Sequence, residues 1–510
     1  MKRSLIPLLF NSPYFFKGIS IYGDVRRYTE PKPKWFVDSV NGSDSNDGKS
    51  IYTPLKTISA LLGKTINSGD AIGLKAGSYW RDQLDISGKS NITIVGYGIG
   101  AMPILDSDDI AGSIWSLSSG KTYCYQTNWS HNITANTSRI VALEDGNMLS
   151  RVTSQALVES TDGSYYSPND GNLSTNNPTL IYIHPTGGGN PNSNGKTYTI
   201  TRRLSGILGG STASNTIVKN VNTKNNANND GSISLGDNNT ISNCIIERGI
   251  KHHAVVGPGT YSDILTKYVD QETTAETSNI ALTFYSTVGT GKSATFDNCH
   301  IIGNDNLYSS NGFYSHCSSG ELSSLSISHS SVRKHNGSSF SGSVSSFSVS
   351  DSYSKKTTTA SNYAEIVGDS ATVIASRVVS NGIGAGFVKP ITTNHSSTSI
   401  TLRDCVAFSG QTVGRIGIDG RNNTGSTYDV QNCIFFLPSG FTTTYFIDIG
   451  GTGNTLRARF NIFIGANYRI FNSVNTNTND IDYNIYYRPS GNYEWNINGT
   501  YYNGPKVAIS

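Results

Sequence analysis

The sequence predicts an all-β chain, a single-stranded right-handed parallel β-helix (a solenoid) with a short N-terminal capping helix. Three observations lead there. Only 15% of the 510 residues are charged, with 53 Gly and 28 Tyr against 3 Met. Such a chain is poor in helix formers and rich in β-branched, aromatic and turn residues. Next, an apolar–x–Asn–Cys–x–apolar step recurs. It stands at Ile241/Asn243/Cys244/Ile246, Phe296/Asn298/Cys299/Ile301, Leu402/Asp404/Cys405/Ala407 and Val430/Asn432/Cys433/Phe435. Finally, the steps keep a period: Asn215–Val221 repeats as Asn239–Ile245 after 24 residues, and Asp404 leads to Asn432 after 28. Asn243 to Asn298 is 55, the length of two rungs. Strand-length apolar pieces at about this period signal stacked repeats. Asn suits the corner because it tolerates the left-handed conformation and bonds locally. Cys, Ile and Val beside it are expected to point inward as a continuous core, which leaves the cysteines as buried free thiols.

In chain order, residues 1–34 read as a leader ending in the proline-rich Glu30–Lys34. It is either an arm that docks on a larger particle or a loosely ordered terminus. Pro7 breaks the apolar run Leu5–Phe10, and no small-residue cleavage site follows, so a signal peptide is not the expectation. Residues 35–106 are expected to hold the cap and first rungs. Trp35–Val37 is a strand, Asn41–Gly48 a polar turn, Leu55–Leu62 an amphipathic helical turn, and Ala71–Leu74 and Ile92–Val95 are strands. A helix across the open end of a strand stack covers an edge that would otherwise be exposed. Residues 107–204 are less regular and read as an insertion or as long loops on early rungs. Regular rungs are expected over 205–440, then last rungs and a cap over 441–510.

The stretch from Val37 to Gly96 resembles the first rungs of right-handed parallel β-helix proteins of the pectate-lyase-like superfamily. The matching residues are Val37, Asp38, Gly42, Ser43, Asp44, Asn46, Asp47 and Gly48. They continue in order with Pro54, Lys56, Thr57, Ile58, Ala60, Gly69, Asp70, Gly77, Tyr79, Ile92, Thr93, Ile94 and Gly96. That resemblance implies the fold; the superfamily includes lyases, hydrolases and non-catalytic proteins, so it implies no single activity. Asp38, Asp44 and Asp47 lack the closing Glu of a calcium loop, so a hydrogen-bonded turn is expected there and no cofactor is implied.

A net charge of +3 is too small for the basic footprint of a nucleic-acid binder. The six dispersed cysteines show neither a metal-ligand spacing nor a disulfide framework. No stretch approaches the roughly 20 apolar residues of a membrane-spanning helix.

Charge is sparse except between residues 247 and 356. Superposing the corners places Glu247, Arg248, Lys251, His252 and His253 after Cys244, and Asp270 and Glu272 after Tyr268. Asp305 and Tyr308 follow Cys299, and Arg333, Lys334, His335 and then Lys355 come next. Two chemistries fit such a groove. In β-elimination on a uronate, His252, His253 or Tyr308 takes the C5 proton while Arg248, Lys251, Arg333, Lys334, His335 and Lys355 hold the acidic chain. In hydrolysis, Glu247 pairs with Asp270 or Glu272 on the next rung, or with Asp305 one rung farther. Tyr285, His316 and Glu365 are expected on another side. Trp80, Trp115, Trp129, Tyr165 and Tyr166 suit sugar stacking or loop anchoring equally.

The leading expectation is an extracellular or virion-associated depolymerase of an acidic polysaccharide, resembling bacteriophage tail-spike proteins, a likeness that implies a homotrimer. Cations outnumber carboxylates in the groove, which favours a lyase. A hydrolase and a non-catalytic glycan-binding adhesin are the alternatives.

Overall fold

The computed structural model describes residues 32–134, 139–227, 231–250, 252–270, 279–286, 292–303, 310–317, 322–335, 338–356, 366–382, 387–390, 397–409, 413–420, 422–437, 443–465, 469–473, 477–487, 493–497, 500–504 and 507–509. The chain is wound as a parallel β-solenoid whose rungs each pass through three sides. Strands such as Thr93–Tyr97, Ile217–Lys219 and Thr427–Gln431 build the first side. Ile104–Asp106 and Ile434–Phe436 belong to the second, and Ile233–Leu235 and Thr443–Ile449 to the third. Each pairs in parallel with its counterpart on the next rung, as Ile217 does with Thr93 below and Thr240 above.

The corner between the first two sides is the recurring step seen in the sequence. Asn220, Asn243, Asp263, Asn298, His329, Asp351, Arg377, Asp404, Asn432, Phe460 and Tyr483 all take φ between 47° and 59° there. This left-handed conformation costs an ordinary residue about 1–2 kcal/mol, and Asn or Asp offsets it with a local hydrogen bond. Some corners bond across rungs: Asn243 Nδ2 donates to Asn220 Oδ1 at 2.6 Å, and Asn298 Nδ2 to Asp263 Oδ1 at 2.7 Å. The residue after the corner points inward. Val221, Cys244, Ile264, Cys299, Val378, Cys405 and Cys433 are at most 1% exposed, and the four cysteines are free thiols. Near the C-terminal end the same column turns polar. Cys433 N donates to Asn461 Oδ1 (2.9 Å) and Asn461 N to Asn484 Oδ1 (2.8 Å), so each buried amide is satisfied.

Two registers differ from the sequence expectation. The strands pair Val218 with Ile241, a shift of 23 rather than 24 residues. Alternation decides this: Val218 and Ile241 are both buried, whereas a one-residue slip would turn one of them outward. The corner between Asn243 and Asn298 is Asp263, so Asp270 lies opposite Ile250 rather than Glu247.

Both ends of the strand stack are covered. The helix Ile58–Leu62, capped by Thr57 Oγ1 accepting from Ala60 N at 3.0 Å, buries Ile58 and Leu61 against the first rung. Asp44 Oδ1 accepts from Lys56 N and Thr57 N, both at 2.9 Å, and Asp38 Oδ1 accepts from Val40 N and Asn41 N, so the acidic turn is tied by hydrogen bonds. At the far end, Tyr493–Ile497 pairs antiparallel with Thr500–Gly504, and Val507–Ile509 pairs antiparallel with Ile485–Tyr487. Reversing the strand direction ends the ladder that another chain could extend.

Between Asp106 and Ile207 the chain leaves the solenoid. Asp108–Ile110, Ala142–Glu144, Asn147–Met148 and Tyr198–Thr201 form one small sheet, and Tyr125–Trp129 and Thr179–His184 anchor a second of five strands. The insert has its own core, including Trp115, Trp129, Ile181, Ile183 and Ile200. Its two ends are tied together: Arg202 N and Arg203 N donate to Ser107 O, and the Arg203 guanidinium grips both Asp109 oxygens at 3.0 and 3.2 Å.

Candidate functional site

On the outward face of the second side, register aligns a column of charge. Asp106 lies opposite Lys224, Lys224 opposite Glu247, and Glu247 opposite Lys267. Ile302, Arg333, Lys355 and Asn381 continue it. Adjacent members are one strand spacing apart, about 4.8 Å. Glu247 is half-buried; its Oε1 lies 3.8 Å from Lys267 Nζ and accepts from Asn222 Nδ2 at 3.4 Å. The neighbour expected to be a carboxylate is therefore a lysine, and the retaining pair of Glu247 with Asp270 is not formed in this register. Arg333 holds its guanidinium 5.4 Å from the Tyr353 ring centroid, and Lys355 beside it is exposed.

Other expected members fall elsewhere. His335 is 2% exposed, with Nε2 2.7 Å from Ser339 Oγ, so it is a core residue and not a groove residue. The reason is local. Lys334 has φ +56° and occupies a bulge, and the extra residue restores His335 to the inward parity of Val332. Arg248 also has φ +49°, opposite Asn225 with φ +58°. His252 and His253 start the third-side strand His252–Val256, around the corner from Glu247. Tyr285 and His316 lie opposite each other on that third side. Lys251, Glu272, Asp305, Tyr308 and Glu365 lie outside the described residues, as do the side chains of His252, His253 and Asp270. Trp80, Trp115, Trp129 and Tyr165 are buried anchors; Trp80 Nε1 donates to Lys56 O and Trp129 Nε1 to Thr201 O. Tyr166 is half-exposed and stacks on Tyr182 with centroids 6.1 Å apart.

Two carboxylate pairs were not singled out in the sequence. One stands where the insert joins the second side. Asn225 Nδ2 donates to Asp106 Oδ1 (2.9 Å) and to Asp108 Oδ2 (3.1 Å), Tyr79 donates to Asp106, and Arg81 pairs with Asp108. Both acids are 2% exposed. Burial first, then the charge of Asp106, pushes the Asp108 carboxyl from 3.8 up to about 7. A carboxyl raised on folding contributes stability that is complete below its unfolded value and is lost as pH rises through its folded one. The Tm is therefore expected to fall from pH 4 to pH 7 through this group, and Asp108→Asn to flatten that slope in calorimetry. An equal slope in both proteins would show that the carboxyl titrates normally.

The second pair is on the third side. Asp419 lies directly opposite Asp448 on the next rung, with Ile418 opposite Ile447 beneath them. In backbone register Lys389 follows Val388, which pairs with Ile418, and Asn472 lies opposite Asp448 on the next rung. Asp419 is 6% and Asp448 1% exposed, and Asp448 Oδ1 accepts from Gly450 N at 3.2 Å. Both carboxyls are buried beside the core residues Ile418, Ile447 and Ile449, within electrostatic reach of the buried Tyr428. A signal for the pair did exist: IGIDG at 416–420 and FIDIG at 446–450 repeat an Ile-Asp step 29 residues apart, the length of one rung. One rung places two such carboxyls about 5 Å apart, the separation that suits an acid and a nucleophile on either side of a glycosidic bond.

No protein-family model matches the chain, and no curated protein matches it. Among solved structures it is similar to one described as the complex structure of XylC with xylose. The two share 12% identity over 84% of this chain and 83% of that one, with a TM-score of 0.48. It is similar to a structure described as a glycoside hydrolase, at 10% identity over 89% and 96% of the two chains and a TM-score of 0.46. A GH136 lacto-N-biosidase from Eubacterium ramulus matches at 12% identity over 84% of this chain and 67% of that one, with a TM-score of 0.34.

Proposed function

We propose that this protein is a carbohydrate-active enzyme that depolymerises an acidic, uronate-containing polysaccharide, and that it cleaves the chain by glycoside hydrolysis. The observation that carries this reading is the opposition of Asp419 and Asp448 on adjacent rungs. One carboxyl protonates the leaving oxygen while the other attacks the anomeric carbon, and water then releases the sugar with the first acting as base. A second reading, β-elimination, is favoured by the cations Lys224, Lys267, Arg333 and Lys355 on the second side. Such cations neutralise a uronate carboxylate and so stabilise charge developing at C5. The test is incubation with a panel of acidic polysaccharides, following reducing ends and absorbance near 235 nm. New reducing ends without absorbance support hydrolysis, and absorbance supports elimination. Binding with neither product would leave a glycan-binding adhesin.

The same reading places the protein outside the cell or on a virion, acting as a homotrimer. Support for self-association comes from the C-terminal part of the second side. There the outward residues Ile434, Phe436, Ile462 and Ile464 lead to Ile485 and Tyr487, which are 40% and 49% exposed. Contiguous apolar columns of this kind mark interaction sites. Light scattering on the purified chain is expected to give three times the chain mass, and Ile485→Lys with Tyr487→Lys to lower it. A monomer at micromolar concentration would exclude the trimer.

A further inference from the structure

We propose a second catalytic site, an ester-hydrolysing relay made of Ser331, His300, Asn298 and Asp263, where the second side meets its corner. The substrate class is a carboxylic ester, and on the glycan reading above, an O-acyl group on a sugar hydroxyl. The residues come from three consecutive rungs brought into line by register: His300 lies opposite Leu265 on one side and Ser331 on the other. Ser331 Oγ is 2.9 Å from His300 Nδ1, His300 Nε2 is 3.1 Å from Asn298 Oδ1, and Asn298 Nδ2 is 2.7 Å from Asp263 Oδ1.

The proton positions along this chain are set from one end. Asp263 Oδ1 accepts from Asn298 Nδ2, which turns the amide NH2 toward Asp263 and its oxygen toward His300. An amide oxygen only accepts, so His300 must carry its proton on Nε2. Nδ1 is then unprotonated and faces the Ser331 hydroxyl, which donates to it. A serine hydroxyl on the free nitrogen of an imidazole, oriented from behind by an amide oxygen, is the arrangement that activates a nucleophile. The two ring nitrogens have exchanged their usual roles, which leaves the chemistry unchanged. Burial and the nearby Arg333 lower the His300 pKa, keeping the ring neutral and able to accept a proton at pH 7.

The step balances with water as the only co-reactant. Ser331 Oγ attacks the ester carbonyl carbon while its proton moves to His300 Nδ1. The carbon–oxygen bond to the sugar then breaks, and the alcohol leaves with that proton. Water, deprotonated by His300, attacks the acyl-serine and releases the carboxylic acid. Arg333, two residues beyond Ser331 on the same outward parity, supplies positive charge for the oxyanion. Ser331 is buried at 8% exposure but shares the outward parity of the half-buried His300 and Arg333, so access to its hydroxyl runs between the imidazole and the guanidinium.

The test uses the full chain and three readouts. A fluorophosphonate probe is expected to label Ser331, located by peptide mass spectrometry. Hydrolysis of p-nitrophenyl acetate and acetate release from an O-acetylated polysaccharide are expected to drop about 10³-fold in Ser331→Ala and His300→Ala. Asn298→Gly, which tolerates the left-handed corner while removing the acceptor from Nε2, is expected to lower ester hydrolysis at least about tenfold and to shift its pH profile, a change that loss of packing alone would not produce. Circular dichroism confirms folding of each variant. Absence of probe labelling, or ester hydrolysis unchanged in Ser331→Ala, overturns the proposal. Reducing-end release from a de-esterified polysaccharide is measured in parallel. Its absence in the native protein would sink the depolymerase reading while leaving the esterase result to stand or fall on its own.

Discussion

Asp419→Asn and Asp448→Asn are each expected to lower reducing-end release by about 10³-fold or more, equivalent to roughly 4 kcal/mol of transition-state stabilisation. Asparagine matches aspartate in volume, so each variant keeps the packing over Ile418 and Ile447 while losing a group that can donate or accept a proton. The loss should fall on kcat with KM nearly unchanged, because the carboxyls act on the reacting bond and not on the chain as a whole. The double variant should cost little more than the worse single one, since the two carboxyls act as a unit. If both single variants retain more than a tenth of the activity, the reaction lies elsewhere. The cation column on the second side then becomes the place to look, with Arg333→Ala and Lys267→Ala as the next variants.

Phe463→Ala is expected to destabilise the C-terminal rungs by about 3–5 kcal/mol. Phe463 is fully buried, with parallel neighbours Phe435 at 5.3 Å and Tyr486 at 5.4 Å and Phe446 edge-on at 5.5 Å. Its removal leaves a cavity between stacked rings that neighbouring rungs cannot close, because their own backbone ladders hold them at a fixed spacing. In a solenoid, stability is shared between nearest neighbours, so the loss should appear as early unfolding of the last rungs while the cap at residues 35–106 persists. Hydrogen exchange measured by mass spectrometry would show it. A uniform loss of protection along the chain would mean that the rungs unfold as one unit.

Much of the architecture was legible because its causes are local. A left-handed corner selects Asn or Asp, and the residue after it must be small and apolar or able to bond inward. The pairs Asn243/Cys244, Asn298/Cys299, Asp404/Cys405 and Asn432/Cys433 therefore announce themselves in one dimension. Corners occupied by His329, Arg377, Phe460 and Tyr483 carry no such signature. They are held left-handed by the ladders on either side, as in the Arg377–Asp351 ion pair and the Phe460–Tyr483 stack. The site was less legible. Glu247, Arg333 and Lys355 do share a column, yet His335 turns inward and the two histidines after Lys251 start another side.

By itself the sequence determined that the chain is a parallel β-solenoid, where several of its corners fall, which cysteines line its core and how its first edge is capped. Only the tertiary structure decided which residues stand side by side on adjacent rungs: Asp419 with Asp448, His300 with Ser331, Glu247 with Lys267 rather than with Asp270. Rung length varies from 20 residues between the corners Asn243 and Asp263 to 35 between Asp263 and Asn298. Single-residue bulges such as Lys334 reverse the parity of every later residue in their strand. With side chains alternating every residue and rungs of unequal length, neither distance along the chain nor charge clustering says which residues meet unless a step repeats, as Ile-Asp does at 418–419 and 447–448. That is settled by hydrogen-bonded register from rung to rung.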